Sequence, residues 1–122
     1  MSSIGAVSVL LVEDDQSTAD LYALKLRLDG FTVHQAADGT TADLIFETAR
    51  PRVVCVDSRL PDGSGHRSAE TFSQRGAIVL LLTNDQQSFE RPPDGVVRSL
   101  LKSRTNPGQL SAAIQLLVGA AH

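Results

Sequence analysis

Hydrophobic positions along this chain come in short continuous runs separated by stretches of helical spacing, and the alternation repeats from one end to the other. Val7-Ser-Val-Leu-Leu-Val12 is apolar and rich in β-branched residues, as a strand covered on both faces should be. Beyond it Leu21, Leu24 and Leu28 fall at helical spacing, Ser17 with Asp20 makes a capping box, and Gly30 supplies the stop, so a first helix is predicted. Phe31 to Ala36 alternates at period two, Asp38-Gly39 makes a turn, and Ala42, Ile45, Phe46 and Ala49 form a second amphipathic helix that ends before Pro51. Val53 to Val56 is a third strand, followed by a Pro61 to Gly65 loop and a polar, weakly amphipathic helix up to about Gly76. Ala77 to Leu82 is a fourth strand and Val96 to Leu101 a less pure fifth. Asn106-Pro107 then caps a last helix bearing Leu110, Ile114 and Leu117. Between the last two strands Pro92 and Pro93 leave room for at most two helical turns, so the fourth helix should be short or absent.

The pattern is (βα)5. Strands alternating with helices at this spacing require parallel pairing and right-handed crossovers, which gives a doubly wound α/β sheet with helices on both faces. At 122 residues and 42% hydrophobic the chain suits one domain, taken as 1–122. A formal charge of −3 and the lack of any Lys/Arg run argue against direct nucleic-acid contact. The apolar start is too short for a signal peptide or a membrane span. Cys55, the single cysteine, sits within a strand, excludes an internal disulfide and suits a reducing compartment, so a cytoplasmic protein is expected.

In such a sheet ligands bind beyond the carboxyl ends of the strands, where the winding reverses. That edge collects Glu13-Asp14-Asp15 after strand one, Asp57 at the end of strand three, Thr83 after strand four and Lys102 after strand five. Crowded carboxylates raise one another's proton affinity unless a cation neutralises them. Oxygen donors without His or a second Cys favour Mg²⁺ over Zn²⁺. A metal ion, a lone carboxylate, a hydroxyl and an ammonium are what phosphoryl transfer to that carboxylate requires, with Asp57 as nucleophile. The chain has nine arginines but only two lysines, one of them Lys102.

These residues, in this order, resemble the receiver domain of two-component response regulators. Val12-Glu13-Asp14-Asp15 is similar to its acidic pair, Asp57-x-x-Leu60-Pro61-x-x-x-Gly65 to its phosphoacceptor loop, Leu82-Thr83 to its switch hydroxyl, and Gly95 with Lys102 to its lysine spacing. The resemblance covers essentially the whole chain. It implies a flavodoxin-like sheet of strand order 2-1-3-4-5, an order that the general rule for doubly wound sheets already illustrates with a chemotaxis receiver. It also implies a phosphoryl group received by Asp57 from a histidine kinase or histidine phosphotransfer protein and contacted by Thr83 and Lys102. Mg²⁺ would be held by Glu13, Asp14, Asp57 and the backbone carbonyl of Arg59. Modification of Asp57 would change binding to a downstream partner or output domain, or drive homodimerisation, and the chain would not be an enzyme acting on an outside substrate. It ends about where such a domain ends, which fits a free-standing protein or the front piece of a longer regulator.

Two positions depart from the family pattern. Ser99 stands where the family has a strand-five aromatic, and Ser103 where a cis proline follows the lysine. A cis bond before Ser would cost about 3 kcal/mol, so a trans or strained bond is expected. Together with the shortened fourth helix these alter the surface of helix four, strand five and helix five, through which many receivers dimerise. They also make a phosphorylation-independent interaction module the rival reading. A metal-dependent phosphohydrolase would need a carboxylate two residues after the nucleophile, where Arg59 stands. Arg59 and Asp85 are placed to bridge over the site. His34, His66 and His122 have no metal spacing and are read as surface or loop residues. Phe31, Phe46 and Phe72 are read as core, and Cys55 as an inert part of it.

Overall fold

Each apolar run becomes a strand and each helical spacing a helix in a computed structural model that describes residues 7–120. The elements follow as β1 (Ser8–Val12), α1 (Gln16–Leu28), β2 (Thr32–Ala36), α2 (Gly39–Ala49), β3 (Val53–Asp57), α3 (Gly65–Gln74), β4 (Ile78–Thr83), α4 (Gln86–Glu90), β5 (Val96–Leu101) and α5 (Pro107–Ala120). The five strands are all parallel in the order 2-1-3-4-5, with an irregularity in β5, where Val79 pairs with Val96 but Leu80 with Arg98. Helix α4 is five residues long and is followed closely by the two prolines, as their missing N–H groups and fixed φ require.

Because successive side chains of a strand point to opposite faces, each strand feeds two cores. Val9, Leu11, Val53, Cys55, Leu80 and Leu82 face α1 and α5, where they meet Ala23, Leu26, Leu110 and Ile114. Leu10, Val12, Val54, Val56, Val79 and Leu81 face α2 and α3, where they meet Phe46 and Phe72. The last two rings stack with centroids 4.7 Å apart. Phe31, Phe46 and Phe72 are all buried.

Helix α1 differs in detail from the reading of its sequence. Its cap is Asp15, whose carboxylate accepts the Thr18 N–H at 3.0 Å, and not Ser17 with Asp20. An acid at the cap satisfies an orphan N–H and meets the positive end of the helix dipole, while Asp20 instead accepts from Gln16 Nε2 at 2.7 Å. The three leucines that mark the helix in the sequence form its outer face: Leu21, Leu24 and Leu28 are 61%, 57% and 74% exposed. The buried face is Ala19, Tyr22, Ala23 and Leu26, tied to the far end of the sheet by the Tyr22 hydroxyl, which donates to the Thr105 carbonyl at 2.8 Å. His34 lies half-buried within β2 and is neither a surface nor a loop residue, His66 is an exposed residue of α3 as the surface reading expects, and His122 lies outside the described residues. Helix α5 opens on a reciprocal cap in which Asn106 and Gln109 each accept the other's backbone N–H.

Candidate functional site

Strands β1 and β3 are neighbours, and the winding reverses between them, so the residues that follow them meet at one crevice. Val12 is in register with Val56, and continuing both strands by one residue sets Glu13 beside Asp57. The two-residue period also fixes which face each site residue takes. Glu13 follows Val9 and Leu11, Asp57 follows Val53 and Cys55, and Lys102 follows Leu100, all on the α1/α5 side. Thr83 follows Val79 and Leu81 on the opposite side.

The predicted carboxylates and the ammonium do converge. Glu13 and Asp57 are 2% and 4% exposed. Lys102 Nζ lies 2.6 Å from Glu13 Oε1 and donates to Asp57 Oδ2 at 2.9 Å. Asp57 Oδ1 accepts the Arg59 N–H at 3.0 Å, and Glu13 Oε2 accepts the Asp15 N–H at 3.0 Å. Asp14 remains exposed, yet one oxygen from each of Glu13, Asp14 and Asp57 fits within a span of 4.8 Å.

Three carboxylates facing one ammonium leave the crevice net negative when all are ionised. Burial pushes the Glu13 carboxyl up to about 7; Lys102 and the Asp15 N–H pull the other way, and the Asp57 charge adds to the rise. For Lys102, burial alone would lower the pKa, but the contacts with Glu13 and Asp57 outweigh it and hold the ammonium well above its ordinary value.

Thr83 is completely buried, but its hydroxyl is engaged away from the carboxylates. Its Oγ1 accepts from Ser58 Oγ at 2.7 Å and from the Asp85 N–H at 2.9 Å. Ser58 was not among the sequence candidates; strand parity would have found it, since it follows Val54 and Val56 on the face that Thr83 takes. Asn84, which shares the strand-four end with Thr83, has a role that the sequence did not assign: its Oδ1 accepts the Ser103 N–H at 2.9 Å. A proline at 103 would have no such N–H. Among the described residues no peptide bond is cis, so Lys102–Ser103 is trans, as a serine there predicts. Arg59 and Asp85 do approach one another, at 4.0 Å, with the Arg59 side chain 81% exposed. An ion pair so long and so exposed is worth little. Cys55 is fully buried, and burial pushes its thiol up to about 12, which leaves it unreactive.

The loop after Asp57 turns at Gly63, whose φ of +74° is the left-handed region open to glycine. Gly65 then starts α3 hard against the end of β3. A Cβ there would stand 2.6 Å from the Asp57 carbonyl oxygen and 2.5 Å from that of Ser58. The Gly65 position in the loop therefore reflects close packing of α3 against the backbone that carries Asp57.

Known proteins share this arrangement. The profile of the response regulator receiver domain matches residues 9–115. The probable transcriptional regulatory protein TcrX of Mycobacterium tuberculosis is 39% identical over 79 residues, which covers 63% of this chain and 34% of that protein. The sensory transduction protein RegX3 of Mycolicibacterium smegmatis is 33% identical over 81 residues, 66% of this chain and 36% of that protein. The chain thus spans about a third of the length of these relatives. Among solved structures the chemotaxis response regulator CheY4 of Vibrio cholerae aligns with a TM-score of 0.79 at 25% identity, over 89% of this chain and 96% of that one. Of the described helices, none is long and apolar enough to cross a membrane. A parallel 2-1-3-4-5 sheet with the acidic cluster at its switch point, joined to a profile match across most of the sequence, leads to one conclusion: the chain belongs to the response regulator receiver domain family, a class of signalling modules rather than conventional enzymes.

Proposed function

We propose that residues 1–122 form one receiver domain in which Asp57 accepts a phosphoryl group from a histidine kinase or histidine phosphotransfer protein. The observation that carries this reading is Asp57 itself: a nearly buried carboxylate at a strand end, with one oxygen held by Lys102 and the other by the Arg59 N–H. In the reaction a carboxylate oxygen of Asp57 forms a bond to phosphorus while the phosphorus–nitrogen bond of a donor phosphohistidine breaks, and the imidazole leaves with the electron pair. Lys102 balances charge on the incoming phosphoryl oxygens, and Thr83 donates to them.

The cluster suits a hard divalent cation, because all its donors are oxygens and one oxygen from each of Glu13, Asp14 and Asp57 lies within 4.8 Å of the others. We assign Glu13, Asp14, Asp57 and the Arg59 carbonyl as ligands of Mg²⁺, which when bound would neutralise phosphoryl charge. The modification would then alter which partner binds, in the cytoplasm, with self-association or an attached output domain as the readout. The relatives of regulatory name, about three times as long, support that kind of output.

Treatment with acetyl phosphate and Mg²⁺, followed by intact mass, tests the reading. One phosphoryl adduct per chain is expected, abolished by Asp57→Asn and by chelation of the metal. A wild-type chain that takes up neither phosphoryl nor beryllofluoride, or an adduct that persists in Asp57→Asn, would refute it.

A further inference from the structure

Helix α1 carries an apolar stripe that the domain itself does not cover. Leu21, Leu24 and Leu28 are each more than half exposed, on the side opposite Ala19, Ala23 and Leu26, which are buried against the sheet. Single leucines at a surface need no explanation, but three along one line of a helix, rimmed by charge, mark a contact surface. Their spacing of three and then four is the a-d-a pattern of a two-stranded coiled coil, in which each side chain inserts between residues of the facing helix. With Leu21 as the first a residue, Asp20 takes the flanking g position and Lys25 the flanking e position.

The pattern is complementary to itself. A second copy of the helix laid parallel and in register sets Leu21, Leu24 and Leu28 each against its own equivalent, whereas an antiparallel copy reverses the spacing and matches at most two of the three. In the parallel arrangement g residues face the e residues of the next heptad across the seam, so Asp20 of one copy meets Lys25 of the other, and the two-fold axis repeats the pair on the far side. Both residues are free to do so. Asp20 is exposed, and its contacts among the described residues are the side-chain amides of Gln16 and Gln35. Lys25 holds Asp29 at 3.0 Å yet remains 42% exposed, so it can take a second carboxylate as Lys102 does.

We infer that α1 is a self-association surface, on which two copies of this chain pair helix to helix, parallel and in register. The inference does not depend on Asp57 being a phosphoacceptor. Because α1 begins just beyond the acidic cluster, a parallel pair opens both crevices toward the same end of the dimer. The contact is isologous, so it uses up the face that makes it and closes at two copies. Three leucines per copy form a patch at the small end of specific interfaces, so the dimer is weak, with a dissociation constant between about 10 µM and about 1 mM.

The test is sedimentation equilibrium of the unphosphorylated full chain at low salt, with Leu24→Lys, Asp20→Lys and Lys25→Asp, each checked for native circular dichroism. Wild type is expected to pass from monomer to dimer across that concentration range, and Leu24→Lys to stay monomeric throughout. Asp20→Lys sets two ammonium groups against each other across the seam and Lys25→Asp two carboxylates, so each alone should weaken dimerisation about fivefold or more. Mixed in equal amounts, these two variants are complementary again and should associate about as tightly as wild type. A wild-type chain that is monomeric at about 1 mM overturns the inference and leaves the stripe to a partner of another kind. Leu24→Lys dimerising like wild type would move the contact off α1, and a mixture no tighter than either charge variant alone would refute the parallel register.

Discussion

Replacing Lys102 by Met tests the charge balance of the crevice directly. The substitution keeps most of the side-chain length and removes the only ammonium among the described residues that touches Glu13 and Asp57, whose side chains are 0% and 6% exposed. Removing one partner of a buried pair costs about 3–5 kcal/mol, because the other charge is left buried and unmatched. Here two carboxylates lose the same cation, but Lys102 is 20% exposed and water can enter after it, so the lower end, about 3 kcal/mol, is expected. For a chain of this size that corresponds to a melting temperature lower by roughly 10 °C. Mg²⁺ bound as proposed would supply charge to the same oxygens of the folded state, so it should stabilise the Lys102→Met variant more than the wild type. Urea unfolding with and without Mg²⁺ measures both effects. An unchanged midpoint in metal-free buffer, or a smaller Mg²⁺ effect in the variant, would refute the shared-cation argument.

Three further outcomes are expected. Gly65→Ala should displace the backbone at Asp57 and Ser58, since its Cβ meets both carbonyl oxygens at about 2.5 Å, and should slow acetyl phosphate labelling while the far-UV circular dichroism stays native. Phe72→Ala removes a fully buried ring stacked on Phe46 and should cost about 3–5 kcal/mol in urea unfolding, with Asp57 labelling of the folded fraction preserved. Stability should also fall in acid. Asp29, Asp62 and Asp85 are held below the ordinary carboxylate range, chiefly by hydrogen bonds from Ser111, Ser64 and Ser88. Their folded pKa values are depressed, so the unfolded chain binds more protons: their contribution is complete above pH 3.8 and is lost as the pH falls through the lowered values. Asp62→Asn with Asp85→Asn should flatten the pH dependence of the unfolding midpoint in that window.

Parallel pairing, crossing pattern and the truncated α4 were legible because each rests on features that sequence carries openly: buried parallel strands are continuously apolar, and Pro92-Pro93 forbids a long helix, whereas the 2-1-3-4-5 order came from the family resemblance alone. The convergence of Glu13, Asp57 and Lys102 followed from the switch-point rule together with strand ends. What escaped was set by matters one step finer than element boundaries. Asp15 outcompeted Ser17 as the α1 cap because the acid sits one position before the first turn, and spacing alone does not tell which of two eligible caps the backbone uses. Ser58 escaped because hydroxyls are common at strand ends, and the parity that puts it on the face of Thr83 has to be joined to the registry between β3 and β4 before it becomes the partner of Thr83. His34 escaped because a histidine inside an alternating strand looks like any half-exposed position.

Helix α1 shows what a second greasy side entails. With Leu21, Leu24 and Leu28 on one flank and Ala19, Tyr22, Ala23 and Leu26 on the other, hydrophobicity alone leaves the helix two ways to seat itself. The small alanines let it settle close upon the strands, and the phenol of Tyr22, anchored to Thr105 just past the turn that bears Lys102, selects one rotation over the other. The orientation of the helix that follows the acidic cluster is therefore settled by polar tethers as much as by grease: Tyr22 to Thr105, Arg27 to the Val33 carbonyl at 2.9 Å and Asp29 to the Ser111 hydroxyl at 2.5 Å pin it to the β5 turn, to β2 and to α5 at once.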